Sequence, residues 1–245
     1  KIIYGVPFSQ PVRAVMWLML IKKFPFELKL INPGSSSEGG SRHPDYLKKF
    51  PTGTIPSFED PETGLLISES HAIMCYLCNT NNWNDLYPSN PEQRAKVDSY
   101  LHLHHRNVRE ASIGLVAPKV RKDLNFSEDF LEASKASIEK AFKAIETGWL
   151  HNSKFLIGDT MTIADISAYV EIGQLQSIFT NIYNFGPFPN IQKWLNEMQN
   201  VDCHDDIHTA LYELGDISKE APPMEVIINA NKKAFQVIQE KLNNM

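Results

Sequence analysis

A serine at the seam between a short apolar run and a helix is the first feature of this sequence with chemical consequences. Ser9 follows the apolar residues 2–6 and precedes Pro11, which opens the helical spacing Val12, Val15, Met16, Leu18, Met19, Leu20. A hydroxyl there sits at the positive end of a helix, which stabilises an anion such as a thiolate. A thiol of ordinary pKa, near 8.5, must fall by about 2 units to ionise at pH 7, which is roughly 2.7 kcal/mol. One hydrogen bond to a charged group supplies about 1.5–3 kcal/mol, so the task needs no metal and no histidine base. The plainer alternative is that Ser9 only caps the helix.

Other residues carry weaker signals. Glu69-Ser70 opens a second helix, where an exposed amide and hydroxyl suit a carboxylate and Glu69 suits an ammonium; a plain acidic first turn reads the same way. Pro56 follows Ile55 at the start of a strand, where a simple edge proline also fits. Cys75 and Cys78 have redox or zinc spacing, but they fall inside a helix rather than at a strand-to-helix turn, so they read as core. His71 joins His102, His104 and His105, which point in scattered directions on a helix; no metal site is predicted. Arg13 reads as a brace for Glu69 or the helix end, and Tyr4 as a core residue of the first strand.

The bulk numbers narrow the classes. A chain of 245 residues, 42% hydrophobic, makes one or two domains with a real core. The net charge is -5, and the basic residues cluster only in pairs such as Lys22-Lys23 and Lys48-Lys49, which argues against nucleic-acid binding. No apolar run has transmembrane length, the first residues lack the order of a secretory signal, and three cysteines form no framework. The expectation is a cytoplasmic protein with no membrane partner.

These residues need elements to hold them. In residues 1–79, strands at 2–6, 27–31, 55–58 and 65–67 alternate with helices from Pro11, at 44–50 and at 68–77. Asp60-Pro61-Glu62-Thr63-Gly64 supplies the turn between the last two strands. This order predicts a thioredoxin-like α+β domain. Residues 80–91 are polar, carry Pro88 and Pro91, and read as a linker. Residues 92–245 read as all-helical, with helices at 92–116, 129–149, 163–178, 189–199 and 225–242. Thr162 and Asp165 form a capping box at the head of the most apolar of them. The terminal helix has an apolar stripe through Val226, Ile227, Ala230, Ala234, Val237, Ile238 and Leu242.

A thioredoxin-like half joined to an all-helical half resembles the glutathione transferase superfamily. The segment Ser9-Gln10-Pro11-Val12-Arg13-Ala14-Val15 is similar to the theta-class segment that carries the catalytic serine. Thr54-Ile55-Pro56, then Glu69-Ser70, resembles the family's glutathione clamp, and residues 155–159 with 162–165 resemble its helical-domain folding motif. The sequence departs from the pattern at Phe50, at Thr54 and at Ser41, where an asparagine, a lysine and a theta-type histidine are usual.

The resemblance implies glutathione S-transfer to small electrophiles, with peroxidase activity as a second outlet, or alternatively a non-catalytic scaffold of the same fold. It implies Ser9 as the catalytic residue, glutathione as co-substrate and no metal. Gln10, Arg42, Thr54, Ile55, Pro56, Glu69 and Ser70 would bind glutathione, with a cis bond before Pro56 and Arg42 on the glycine carboxylate. Asp98 would reach the glutamyl ammonium across a homodimer. Phe8, residues 100–105 and the C-terminal tail would wall the electrophile pocket, with the last helix as a partial gate.

Overall fold

The computed structural model describes residues 1–121 and 124–245. A four-stranded sheet in the order β2-β1-β3-β4 is built from β1 (Ile2–Gly5), β2 (Glu27–Leu30), β3 (Ser57–Asp60) and β4 (Leu65–Ser68). β1 runs parallel to β2 (Ile2 beside Glu27) and antiparallel to β3 (Tyr4 beside Ser57); β3 and β4 form the predicted hairpin. Helices α1 (Gln10–Ile21), α2 (Pro44–Lys49) and α3 (Ser70–Thr80) complete the unit, which is thioredoxin-like. The third strand starts later than the sequence suggested. Ile55 lies before the ladder, whose first β3 partner is Ser57.

α1 is apolar on every side because it is covered on every side. It packs on the sheet and α3, and it meets the helical half through α7 and α9. Gly5 permits the close approach of β1, since a Cβ there would stand 2.5 Å from Val12 Cγ2. On the other face of the sheet, Tyr4, Ile31, Tyr46 and Phe50 form a second small core under α2. Tyr4 is core, as its place in the strand required, with its hydroxyl donated to Glu59 Oε2.

The helical half contains α4 (Pro91–Arg106), α5 (Ala117–Val120), α6 (Glu128–Ala144), α7 (Ile163–Ile172), α8 (Pro189–Gln199), α9 (His204–Leu214) and α10 (Met224–Asn243). The long helix predicted over 92–116 is broken. α4 stops at Arg106, and after a turn the chain resumes as a π-helical stretch, Ala111–Val116, that leads into α5. The helix predicted over 163–178 ends as α7 at Ile172, and α9 is an element the sequence reading lacks. The polar stretch before α4 is tied down. Leu86 and Tyr87 are buried, and the Leu86 carbonyl accepts from the Ile163 amide.

α7 is buried along its whole length, and its capping box forms as the sequence indicated. Asp165 accepts four hydrogen bonds, from the Leu156 and Thr162 amides, the Thr162 hydroxyl and Trp194 Nε1. Burial pushes its pKa up to about 6, against the pull of these donors. Removing the carboxylate leaves buried donors without partners and the helix without its cap. Asp165→Ala is therefore expected to lower stability by about 3 kcal/mol, read from urea unfolding. A loss below about 1 kcal/mol would show that the motif carries no such weight.

Candidate active site

Ser9 stands at the N-cap position of α1 with extended backbone (φ -70, ψ 124), and its side chain makes no capping hydrogen bond. The plain capping role is therefore not what the hydroxyl does. The side chain is half-buried and borders an apolar cavity of about 220 Å³ with Phe8, Gln10, Ile113, Val116 and Val120. First-turn amides of α1 point the same way as any helix N-terminus, toward an anion.

A second, more polar cavity of about 190 Å³ adjoins it. Ile55 and Arg109 belong to both linings and form the partition. Thr54, Pro56, Glu69 and Ser70 line the polar cavity, so four of the predicted positions converge with Ile55. The Ile55–Pro56 peptide is cis. Glu69 holds φ 76, a conformation rarely adopted by side-chain-bearing residues, and makes no capping bond; α3 begins directly behind it. Such backbone costs on the order of 1–3 kcal/mol and persists where the surroundings impose it. Larger, shallower depressions of about 480 and 530 Å³ border neither Ser9 nor Glu69.

The remaining predicted residues sit differently. Arg42 is exposed and lines neither cavity, but its guanidinium lies over Gly53, where a built Cβ would be 2.9 Å from Nη1. Asp98 also lies outside both linings and accepts the Tyr87 hydroxyl at 2.8 Å. Gln10 borders the apolar cavity, yet its carboxamide is spent inward on Gln174 Oε1 at 2.7 Å. Arg13 does not brace Glu69. It is fully buried and donates to the carbonyls of Phe8 (2.6 Å) and Val170 (3.1 Å), joining the loop before Ser9 to α7.

Two expectations about the walls are corrected. Tyr100 is fully buried, and His104 and His105 face the polar cavity; the apolar wall comes instead from residues 113–120. After the break that follows α4, the next helical stretch borders the same cavity as the start of α1. α10 lines neither cavity. It packs on α9 and touches the site through Asn231 Oδ1, which accepts the Phe8 amide at 2.9 Å.

The sequence reading missed the polar floor. Glu171, on α7, is 1% exposed and accepts from Arg109 Nη1 and the Ser112 hydroxyl. Gln174 Nε2 donates to Ser112 Oγ at 2.6 Å, which links this pair to Gln10. The histidines also converge more than helical spacing suggested. The His71 ring lies 4.5 Å from His105 and 5.0 Å from His104, and His71 Nε2 pairs with Ser167 Oγ at 2.6 Å. No metal-binding group of three ligands is found among the described residues. Burial pushes the Cys75 thiol up, and the Cys78 thiol up to about 12, so neither has thiolate character.

This geometry defines a thioredoxin-like scaffold with a cavity at a helix N-terminus, joined to an all-helical partner. The glutathione S-transferase N-terminal domain family matches residues 3–85, and the glutathione S-transferase C-terminal domain family matches residues 107–202. Glutathione S-transferase T3 of Arabidopsis thaliana is 27% identical over 98% of this chain, which spans only 42% of that protein's length. Human glutathione S-transferase theta-1 is 25% identical over 90% of each chain. The solved structure of human glutathione S-transferase T1-1, apo form, superposes with a TM-score of 0.75 at 22% identity over 98% of this chain and 99% of that one. The chain belongs to the glutathione S-transferase family, among its theta-like members.

The buried histidines give the fold an acid-sensitive seam. Burial, and then the charges of His105 and His102, push His71 down to about 3, from an ordinary value near 6.5. The unfolded chain therefore takes up the proton first, and stability is lost as pH falls from about 6.5 toward 3, by up to ~1.4 kcal/mol per unit. His71→Gln is expected to flatten that acid limb in unfolding curves measured between these pH values. An unchanged slope would remove His71 as its source.

Proposed function

We propose that this chain is a serine-type glutathione S-transferase, with residues 1–79 binding glutathione and residues 92–245 supplying the wall for a small electrophile. The observation that carries the reading is the Ser9 hydroxyl, which spends nothing on capping and borders a cavity at the head of α1. In this reading the thiol of glutathione lies against Ser9, and the hydroxyl donates to its sulfur. The first-turn amide at Gln10 adds to the positive field. Ile55, outside the sheet ladder, pairs its backbone with the cysteinyl unit like an added strand. Thr54 and Pro56 shape that segment, and Glu69 with Ser70 takes the γ-glutamyl end. Arg42 meets the glycine carboxylate from above Gly53. Asp98 serves the site of a second copy in a homodimer.

The steps are few. The thiol loses its proton to solvent, the thiolate attacks the electrophilic carbon, and the leaving group departs with the bonding pair. With a hydroperoxide, the thiolate attacks the O–O bond to release an alcohol, and a second glutathione yields the disulfide and water. Proximity and thiolate stabilisation account for the acceleration.

The departures from the family pattern leave this reading standing. Phe50 is 2% exposed and belongs to the small core with Tyr4 and Tyr46, so its change of type is met by packing rather than by ligand. The Thr54 carbonyl is fixed by the Tyr46 hydroxyl at 2.8 Å, so the segment before Pro56 is held without a lysine.

Ser9→Ala should lower kcat/KM for glutathione-dependent turnover of an electrophile panel by about 10–100-fold, the equivalent of one charge-assisted hydrogen bond. The same preparation is expected to sediment as a dimer. Equal rates for the variant and wild type would remove Ser9 from the mechanism.

A further inference from the structure

Residue 8 is held at its amide and at its carbonyl by side chains from two different helices. The Phe8 carbonyl accepts from Arg13 of α1 at 2.6 Å, and the Phe8 amide donates to Asn231 Oδ1 of α10 at 2.9 Å. The Ser9 amide donates to the Val6 carbonyl at 3.1 Å, and the Ser9 carbonyl accepts from the Arg13 amide at 2.9 Å. All four backbone polar groups of residues 8 and 9 are thus engaged. The direction of the Ser9 side chain is then set by these partners, and only its own rotation remains. Arg13 and Val6 are near neighbours in sequence, whereas Asn231 lies 223 residues from Phe8.

The carboxamide of Asn231 is aimed by its own helix. Its Nδ2 donates to the Ile227 carbonyl one turn back at 3.1 Å, which turns Oδ1 to the Phe8 amide. α10 in turn is fastened along α9. Ala230, Ala234 and Ile238 are buried, Lys233 pairs with Glu213, and Lys241 pairs with Asp206 at 2.8 Å near the far end. Asparagine is a weaker helix former than alanine, so its presence in mid-helix does nothing for α10 itself. α10 lines neither cavity, so the effect of Asn231 on a ligand must pass through residue 8.

We infer that Asn231 is a positioning residue for the reaction: by fixing the Phe8 amide, it sets the direction from which the Ser9 hydroxyl meets the thiol of glutathione. This rests on the serine-type reading above. The S–H bond breaks, its electron pair stays on sulfur under the Ser9 hydroxyl, and the proton passes to water. The last helix therefore acts on thiolate formation and not on entry of the electrophile.

The test compares wild type, Asn231→Ala and Lys241→Met, all as the full chain. Asn231→Ala removes the acceptor and favours the helix that carries it. Lys241→Met loosens α10 at its far end without touching residue 8. The charged groups nearest the site, Arg109 and Arg121 in the lining and Glu171 behind Arg109, are unaltered in all three. An ultraviolet titration reads the bound thiol, and turnover of an electrophile is measured at pH 6.5 and 8.5. In Asn231→Ala the thiol should titrate about 0.5–1 unit above wild type, the scale of one lost neutral hydrogen bond. The kcat should fall by about two- to fivefold at pH 6.5 and return to within about 1.5-fold at pH 8.5, where the thiol ionises unaided. The KM for glutathione should move by less than about twofold. Lys241→Met should unfold at lower urea yet titrate as wild type does. An unshifted thiol in Asn231→Ala, or a loss of kcat as large at pH 8.5 as at pH 6.5, would overturn the inference. So would an equal thiol shift in Lys241→Met, which would assign the effect to general loosening of α10. A wild-type chain that binds glutathione without lowering its thiol pKa fails the serine-type reading, and this inference with it.

Discussion

A guanidinium with no exposure to solvent holds the loop before Ser9 against the helical half of the molecule. Arg13 projects from the second turn of α1 and donates to the Phe8 carbonyl on one side and the Val170 carbonyl on the other. Burying a cation is costly, and burial pushes its pKa down to about 10, so it remains charged at neutral pH. The nearby Glu171 carboxylate favours that charge. Arg13 ties α1 to α7 at Val170, and Glu171, the next residue of α7, lines the polar cavity.

Much follows from this seam. Because α1 is buried between the sheet and the helices, its N-terminus and Ser9 have little freedom. Because Glu171 is shared by Arg109 and Ser112, the partition between the polar and apolar cavities is fixed by α7 rather than by a mobile loop. α10 adds a third support by accepting the Phe8 amide through Asn231. Its apolar stripe is spent on packing, with Ala230, Ala234 and Ile238 buried, so the terminal helix steadies the site loop from outside instead of forming a cavity wall.

The parts legible in the sequence are those with local signals. The seam at Ser9, the turn from Asp60 to Gly64, and the Thr162–Asp165 box each lie within a few residues and reappear in the fold. The convergence of Thr54, Ile55, Pro56, Glu69 and Ser70 was legible through resemblance. What periodicity could not reveal depends on distant partners. The break after Arg106 continues a helical pattern on either side, and the pairing of Arg109 with Glu171 spans 62 residues. His71 meets His104 and His105 only because α3 and α4 come together. α9 is a different case, since Ile207, Ala210, Leu211 and Leu214 have helical spacing and Gly215 stops the helix, yet its start at Cys203 lacks a capping side chain.

In the proposed serine-type chemistry, Arg13 sets the position from which Ser9 would lower the pKa of a bound thiol. The most direct measurement is an ultraviolet difference titration of glutathione bound to wild type and to Arg13→Met, with folding of the variant verified by circular dichroism. In wild type the thiol should ionise about 2 units below its free value near 8.5. In folded Arg13→Met it should move back toward that value although Ser9 is intact. A folded variant whose bound thiol titrates as in wild type would contradict the account.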